Sequence, residues 1–120
     1  MNLQAALAAT AGGLGVAFGA FGAHGLDSQL GPDAAAWWET ATLYLLVHAV
    51  AALSVALAGQ GGLIRLGGWA FLAGAAVFAG TLYAMALGAP RWLGAVTPIG
   101  GVLLILGWVG VAAASLRKTG

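Results

Sequence analysis

"GWAFLAGAAVFAGTLYAMAL", residues 68–87, runs for its whole length without a charged side chain. A helix rises 1.5 Å per residue, so a stretch of about twenty residues matches the roughly 30 Å hydrocarbon core of a bilayer. Barrel strands are about ten residues long and alternate apolar with polar positions, and this run does neither. It reads as a transmembrane helix, because in lipid each backbone amide must be satisfied internally and a helix does that alone.

Outward from that stretch the charges divide the chain. Asp27, Asp33 and Glu39 share one early segment, Arg65 and Arg91 stand alone, and Arg117 and Lys118 lie at the end. Between them run apolar segments near residues 3–23, 37–59, 66–88 and 92–116, with a loop over 24–36. The expected fold is all-α, a single integral membrane four-helix bundle of four transmembrane helices. Composition agrees: of 120 residues, 62% are hydrophobic and only 6% charged, whereas soluble domains carry about 25% charged residues. The first run has no basic residue before it and is longer than a signal peptide's apolar region, so it is read as a retained helix.

The same composition excludes several functions. A formal net charge of +1 provides no basic surface for nucleic acid. There is no cysteine for a thiolate metal site or a nucleophile. Glycine pairs at 12–13, 61–62 and 67–68 lack the strand and charged partner of a phosphate loop. No catalytic motif, cofactor site or metal site is legible, and an enzyme is disfavoured. The lipid bilayer is the partner that composition implies.

Orientation comes from the basic residues. With four spans, Arg65, Arg117, Lys118 and the amino terminus share a side, which the positive-inside rule makes cytoplasmic. The loop over 24–36 then faces out, with Trp37, Trp38 and Trp92 at the outer interface. Trp108 lies too deep for an interfacial belt and is expected to pack.

Small residues supply the strongest spacing signal. Ala5, Ala8, Gly12, Gly15, Gly19 and Gly22 recur at steps of three and four on the first helix. Lipid gives no hydrophobic drive to helix association, so close backbone approach must supply it, and such seams permit it. Ala76, Gly80, Ala84 and Gly88 repeat the pattern on the third helix, and Gly100, Gly107 and Ala114 on the fourth. These seams serve packing within the bundle or a homo-oligomer interface.

Among polar residues, His48 lies about 16 Å into the second helix, near the bilayer midplane, and a buried ionisable residue there is a functional candidate. Tyr44 shares its face and Glu39 lies opposite. Pro98 is expected to break the backbone ladder of the fourth helix, so that a neutral His48 donates to the freed carbonyl or to Thr97. Tyr44 and Tyr83 either meet or line one packed layer. His24 marks the outer end of the first helix, where Asp27, Glu39 and Arg91 are able to gather; no ligand pair at a fixed short spacing favours a metal there.

Four motifs in order, "GAFGAHGL" (19–26), "ETATLYLLVHAV" (39–50), the opening stretch (68–87) and "LGAVTPIGGVLLILGW" (93–108), resemble the domain of unknown function 423 family of small membrane proteins. That family includes bacterial inner-membrane proteins and an animal counterpart, transmembrane protein 256. Matching residues are Gly22, His24, Gly25, Tyr44, His48, Gly80, Tyr83, Thr97, Pro98 and Gly100. The resemblance implies a four-span bundle in the bacterial cytoplasmic membrane and no assigned activity. Two functions follow as expectations: a structural or interaction component that packs with itself or a larger membrane complex, and alternatively a small-molecule or proton-linked carrier whose midplane cavity is lined by His48, Tyr44, Tyr83 and Thr97.

Overall fold

The computed structural model describes residues 1–26 and 30–117. Four α-helices account for most of it: α1 (Leu3–Phe21), α2 (Pro32–Ala58), α3 (Gly62–Ala86) and α4 (Thr97–Leu116). All four segments, α1 and α4 with their flanking turns and α2 and α3 by themselves, are long and apolar enough to cross a membrane. The molecule is 54 Å along its longest axis, so its ends reach into both interfaces of a roughly 30 Å core.

Local chemistry sets the boundaries, and several differ from those that hydropathy suggests. The Asn2 side chain caps α1 by accepting from the Ala5 amide at 3.0 Å. After Phe21 the helix widens into one π-helical turn, Gly22–Leu26, so His24 continues the helix instead of opening a long loop. The helix α2 begins at Pro32, five residues before the apolar run at 37. Proline needs no amide partner in the first turn, and Asp33 complements the helix dipole there, so residues that read as loop act as a start signal. Helix therefore takes up much of the segment 24–36 that reads as loop; residues 27–29, Asp27 among them, lie outside the described residues, as does Lys118. The next helix, α3, starts at Gly62 rather than 66. It ends at Ala86 rather than 88, because Gly88 turns left-handed with φ 106°. Residues Arg91–Ala95 form a 3₁₀ turn, and α4 begins only at Thr97. Pro98 thus sits in the first turn of α4, where its missing amide costs nothing; it does not break the helix.

Each helix packs chiefly on its neighbour in sequence, α1 on α2, α2 on α3 and α3 on α4, with α1 also touching one edge of α3. The four form a staggered layer with two lateral grooves. One lies between α1 and α3 over Leu45 of α2. The other lies between α2 and α4 over Phe71 and Phe78 of α3.

Glycines set the close approaches. The α1 seam meets α2: a Cβ added at Gly15 would lie 2.6 Å from Leu46 Cδ2, one at Gly19 would lie 3.0 Å from Thr42 Cγ2, and one at Gly22 would strike the Trp38 indole. Gly12 has ordinary room, 3.8 Å from Ala49 Cβ. Between α3 and α4 the backbones themselves approach. A Cβ at Gly74 would lie 2.9 Å from the Gly100 carbonyl oxygen, and one at Gly67 would lie 3.1 Å from that of Gly107. The α4 glycines of the expected seam do face a neighbour, but the α3 residues opposite them are Gly67 and Gly74. Gly80 points outward, and a Cβ there would meet nothing within 4 Å.

Candidate functional site

His48 is buried, with 6% of its surface exposed, and both ring nitrogens are engaged. Nδ1 lies 2.7 Å from the carbonyl oxygen of Tyr44, one turn earlier on α2. The indole Nε1–H of Trp108, on α4, donates to Nε2 at 2.9 Å. An indole nitrogen only donates, so Nε2 carries no proton; Nδ1–H then donates to the carbonyl and the ring is neutral. Phe71 of α3 closes the group, its ring 5.6 Å from that of His48 and 4.7 Å from that of Trp108. The bond ties α2 to α4 across the groove that α3 floors.

The expected link from His48 to Thr97 is not formed. Thr97 pairs instead with Thr81 of α3, hydroxyl to hydroxyl at 2.6 Å, and donates to the Leu93 carbonyl at 3.2 Å. Because Pro98 opens α4, it frees no carbonyl in mid-helix for His48 to reach. The two tyrosines do not meet either. Tyr44 lies against His48 and Phe78, the latter at 4.5 Å between ring centroids. Tyr83 is buried on another side of α2, where its hydroxyl and that of Thr42 are 2.7 Å apart.

A second node joins α1, α2 and α3. Trp38 Nε1–H donates to the Phe18 carbonyl at 2.7 Å, where α1 passes into its π-helical turn. The Tyr83 ring meets Phe18 edge-on at 5.0 Å and Trp38 at 4.5 Å. Trp38 is therefore a core residue, 5% exposed, and not part of an interfacial belt. A third tie lies at the amino-terminal end of α1: buried Gln4 donates through Nε2 to the Arg65 carbonyl at 2.9 Å, and Asn2 donates to that of Ala56 at 3.1 Å. Gly68 makes room for the Gln4 amide. The sequence reading missed Gln4, Thr81 and the His48–Trp108 pair; each has its partner on another helix, where spacing along the chain carries no signal.

Among the described residues, His24, Glu39 and Arg91 do not gather. His24 is exposed at the end of α1. Glu39 lines a cavity with Gly19, Gly22, Trp38 and Thr42 on the α1 side of α2. Arg91 sits on the other side, its guanidinium 5.3 Å over the Trp37 ring. Among the described residues no three His, Asp or Glu side chains converge.

Four spanning helices, tied through histidine, threonine, tyrosine and tryptophan bonds with close glycine contacts, define a small multi-pass helical membrane protein. The chain belongs to the family described as protein of unknown function (DUF423), whose model matches residues 18–101. It is 41% identical over 109 residues to a UPF0382 membrane protein of Staphylococcus epidermidis, covering 89% of each chain. It is 38% identical over 119 residues to one of Haemophilus influenzae, covering 98% of this chain and 96% of that one. With UPF0382 membrane protein YwdK of Bacillus subtilis the identity is 37% over 109 residues, or 87% of this chain and 88% of the relative. No solved structure matches.

Proposed function

We propose that this protein is a structural or interaction component of the bacterial cytoplasmic membrane that assembles, with a second copy of itself or within a larger membrane complex, through the outward face of α1 and α3. One observation carries the reading. The seams on α1 and α4 are consumed inside the chain, whereas α3 turns Ala76 and Gly80 outward along a groove of about 260 Å³ that Ala11, Leu14, Phe18 and Tyr83 also line. Lipid gains little from a small-residue surface, while a packed helix gains close backbone approach. Both termini are read as cytoplasmic, from the side that Arg65, Arg117 and Lys118 share.

The engaged state of His48 supports this reading over the carrier. Coupled transport needs a midplane group free to exchange partners, and here both ring nitrogens serve helix packing. Nothing in the site arrangement calls for catalysis, and the reading is of a non-enzyme.

The chain has no cysteine, so single cysteines report cleanly. A photo-cross-linker on Gly80→Cys in native membranes should capture a neighbouring protein or a second copy. The same reagent on Val102→Cys, exposed on α4, should capture none. Equal capture at both positions, or none at Gly80→Cys, overturns the proposal.

A further inference from the structure

The α2/α4 groove has a mouth of different chemistry from its floor. At the outer end Trp37, Phe78, Leu82, Met85, Thr97 and Pro98 line a slot of about 380 Å³ beneath Arg91. Trp37, Met85 and Arg91 also belong to an adjoining cavity of about 650 Å³ that reaches Gly31, Pro32 and Asp33 at the start of α2. The Arg91 guanidinium lies over Trp37. Deeper in, the groove is crossed by the His48–Trp108 bond. From Trp37 to His48 is eleven residues of α2, or about 16 Å, close to half the roughly 30 Å core.

We propose that this slot seats an anionic phospholipid drawn from the surrounding bilayer, its phosphodiester on Arg91 and one acyl chain lying down the groove toward Tyr44 and the His48–Trp108 bridge. A guanidinium presents paired N–H donors that suit phosphate oxygens. Trp37 lies beneath the guanidinium, and Gly31, Pro32 and Asp33 at the start of α2 line the same cavity. The Asp33 carboxylate opposes a dianionic group more than a single-charged phosphodiester, which favours a diester lipid. The slot is mainly apolar and lies between α2 and α4, where an acyl chain enters from the bilayer, and the stretch of about 16 Å along α2 from Trp37 to His48 matches the depth of one leaflet. The inference is independent of the assembly reading, since it concerns a different face of the molecule.

The test is native mass spectrometry of the full-length protein from micelles holding equal amounts of phosphatidylglycerol and phosphatidylcholine with identical acyl chains. The expected result is one retained lipid per chain with a preference for phosphatidylglycerol of roughly tenfold: both lipids offer the phosphodiester, but the ammonium of choline cancels its charge and is repelled by the Arg91 guanidinium. Arg91→Gln should abolish the preference and Arg91→Lys should keep most of it. Gly94→Leu, which fills the slot beside Met85, should remove the retained lipid whatever its headgroup. Equal retention of the two lipids by the unaltered protein, or a preference unchanged in Arg91→Gln, overturns the assignment; so does a folded Gly94→Leu that retains lipid normally.

Discussion

Two neighbouring glycines on α4 allow the close α3/α4 approach to be measured. A Cβ at position 100 would press on the Phe78 backbone nitrogen, 2.8 Å from the Gly74 carbonyl oxygen and 2.9 Å from Phe78 Cα. All three are backbone atoms, so relief requires the helices to part. A gap of about 0.5–1 Å forfeits a quarter to a half of the dispersion energy of each affected contact. Overpacking of this kind costs about 1–3 kcal/mol. At Gly101 the nearest atoms are those of the Phe78 ring at 3.8 and 3.9 Å, an ordinary contact. Both replacements gain the same helix propensity, up to about 1 kcal/mol, so that gain cancels in the comparison. Gly100→Ala should therefore be less stable than Gly101→Ala by about 1–3 kcal/mol, read as helix content during detergent unfolding in mixed micelles. Equal stability of the two variants would refute the claim that backbone approach at Gly74 and Gly100 holds α4 in place.

The polar ties give smaller, separable effects. In a double-mutant cycle, His48→Leu and Trp108→Phe should couple by about 0.6 kcal/mol and by no more than about 1.7, the range for interhelical bonds in membranes; strictly additive losses would remove the bond from the account. His48→Gln, which keeps a polar group at that position, should lose less stability than His48→Leu in the same unfolding assay. Tyr83→Phe keeps the ring against Phe18 and Trp38 and loses only the Thr42 bond, so it should cost less than about 1 kcal/mol. A larger loss would show that the hydroxyl orients the three-helix node.

The four spans were legible because seven charged residues in 120 can be placed only where water reaches. Helix starts were less legible. Gly31, Pro32 and Asp33 have loop composition, yet proline and aspartate are favoured in a first helical turn, and α2 begins there. The direction of each small-residue seam was the least legible feature. In a soluble helix the polar face marks the outside, whereas lipid is as apolar as the interior. Gly80 and Gly74 therefore look alike in sequence, although one faces outward and the other α4. His48 stood out as a buried ionisable residue, but its partner Trp108 lies sixty residues away on a helix whose rotation the sequence does not set. Thr97 was likewise noticed beside Pro98, while its bond to Thr81 depends on the register of α3 against α4.

Native mass spectrometry of the protein released gently from its own membrane tests the assembly reading most directly, since it weighs subunits and retained partners together. A defined homo-oligomer, or a reproducible complex with a larger membrane protein that dissociates in Gly80→Leu, is the predicted result. A monomer that holds one stoichiometric small molecule other than phospholipid would contradict it and favour the carrier.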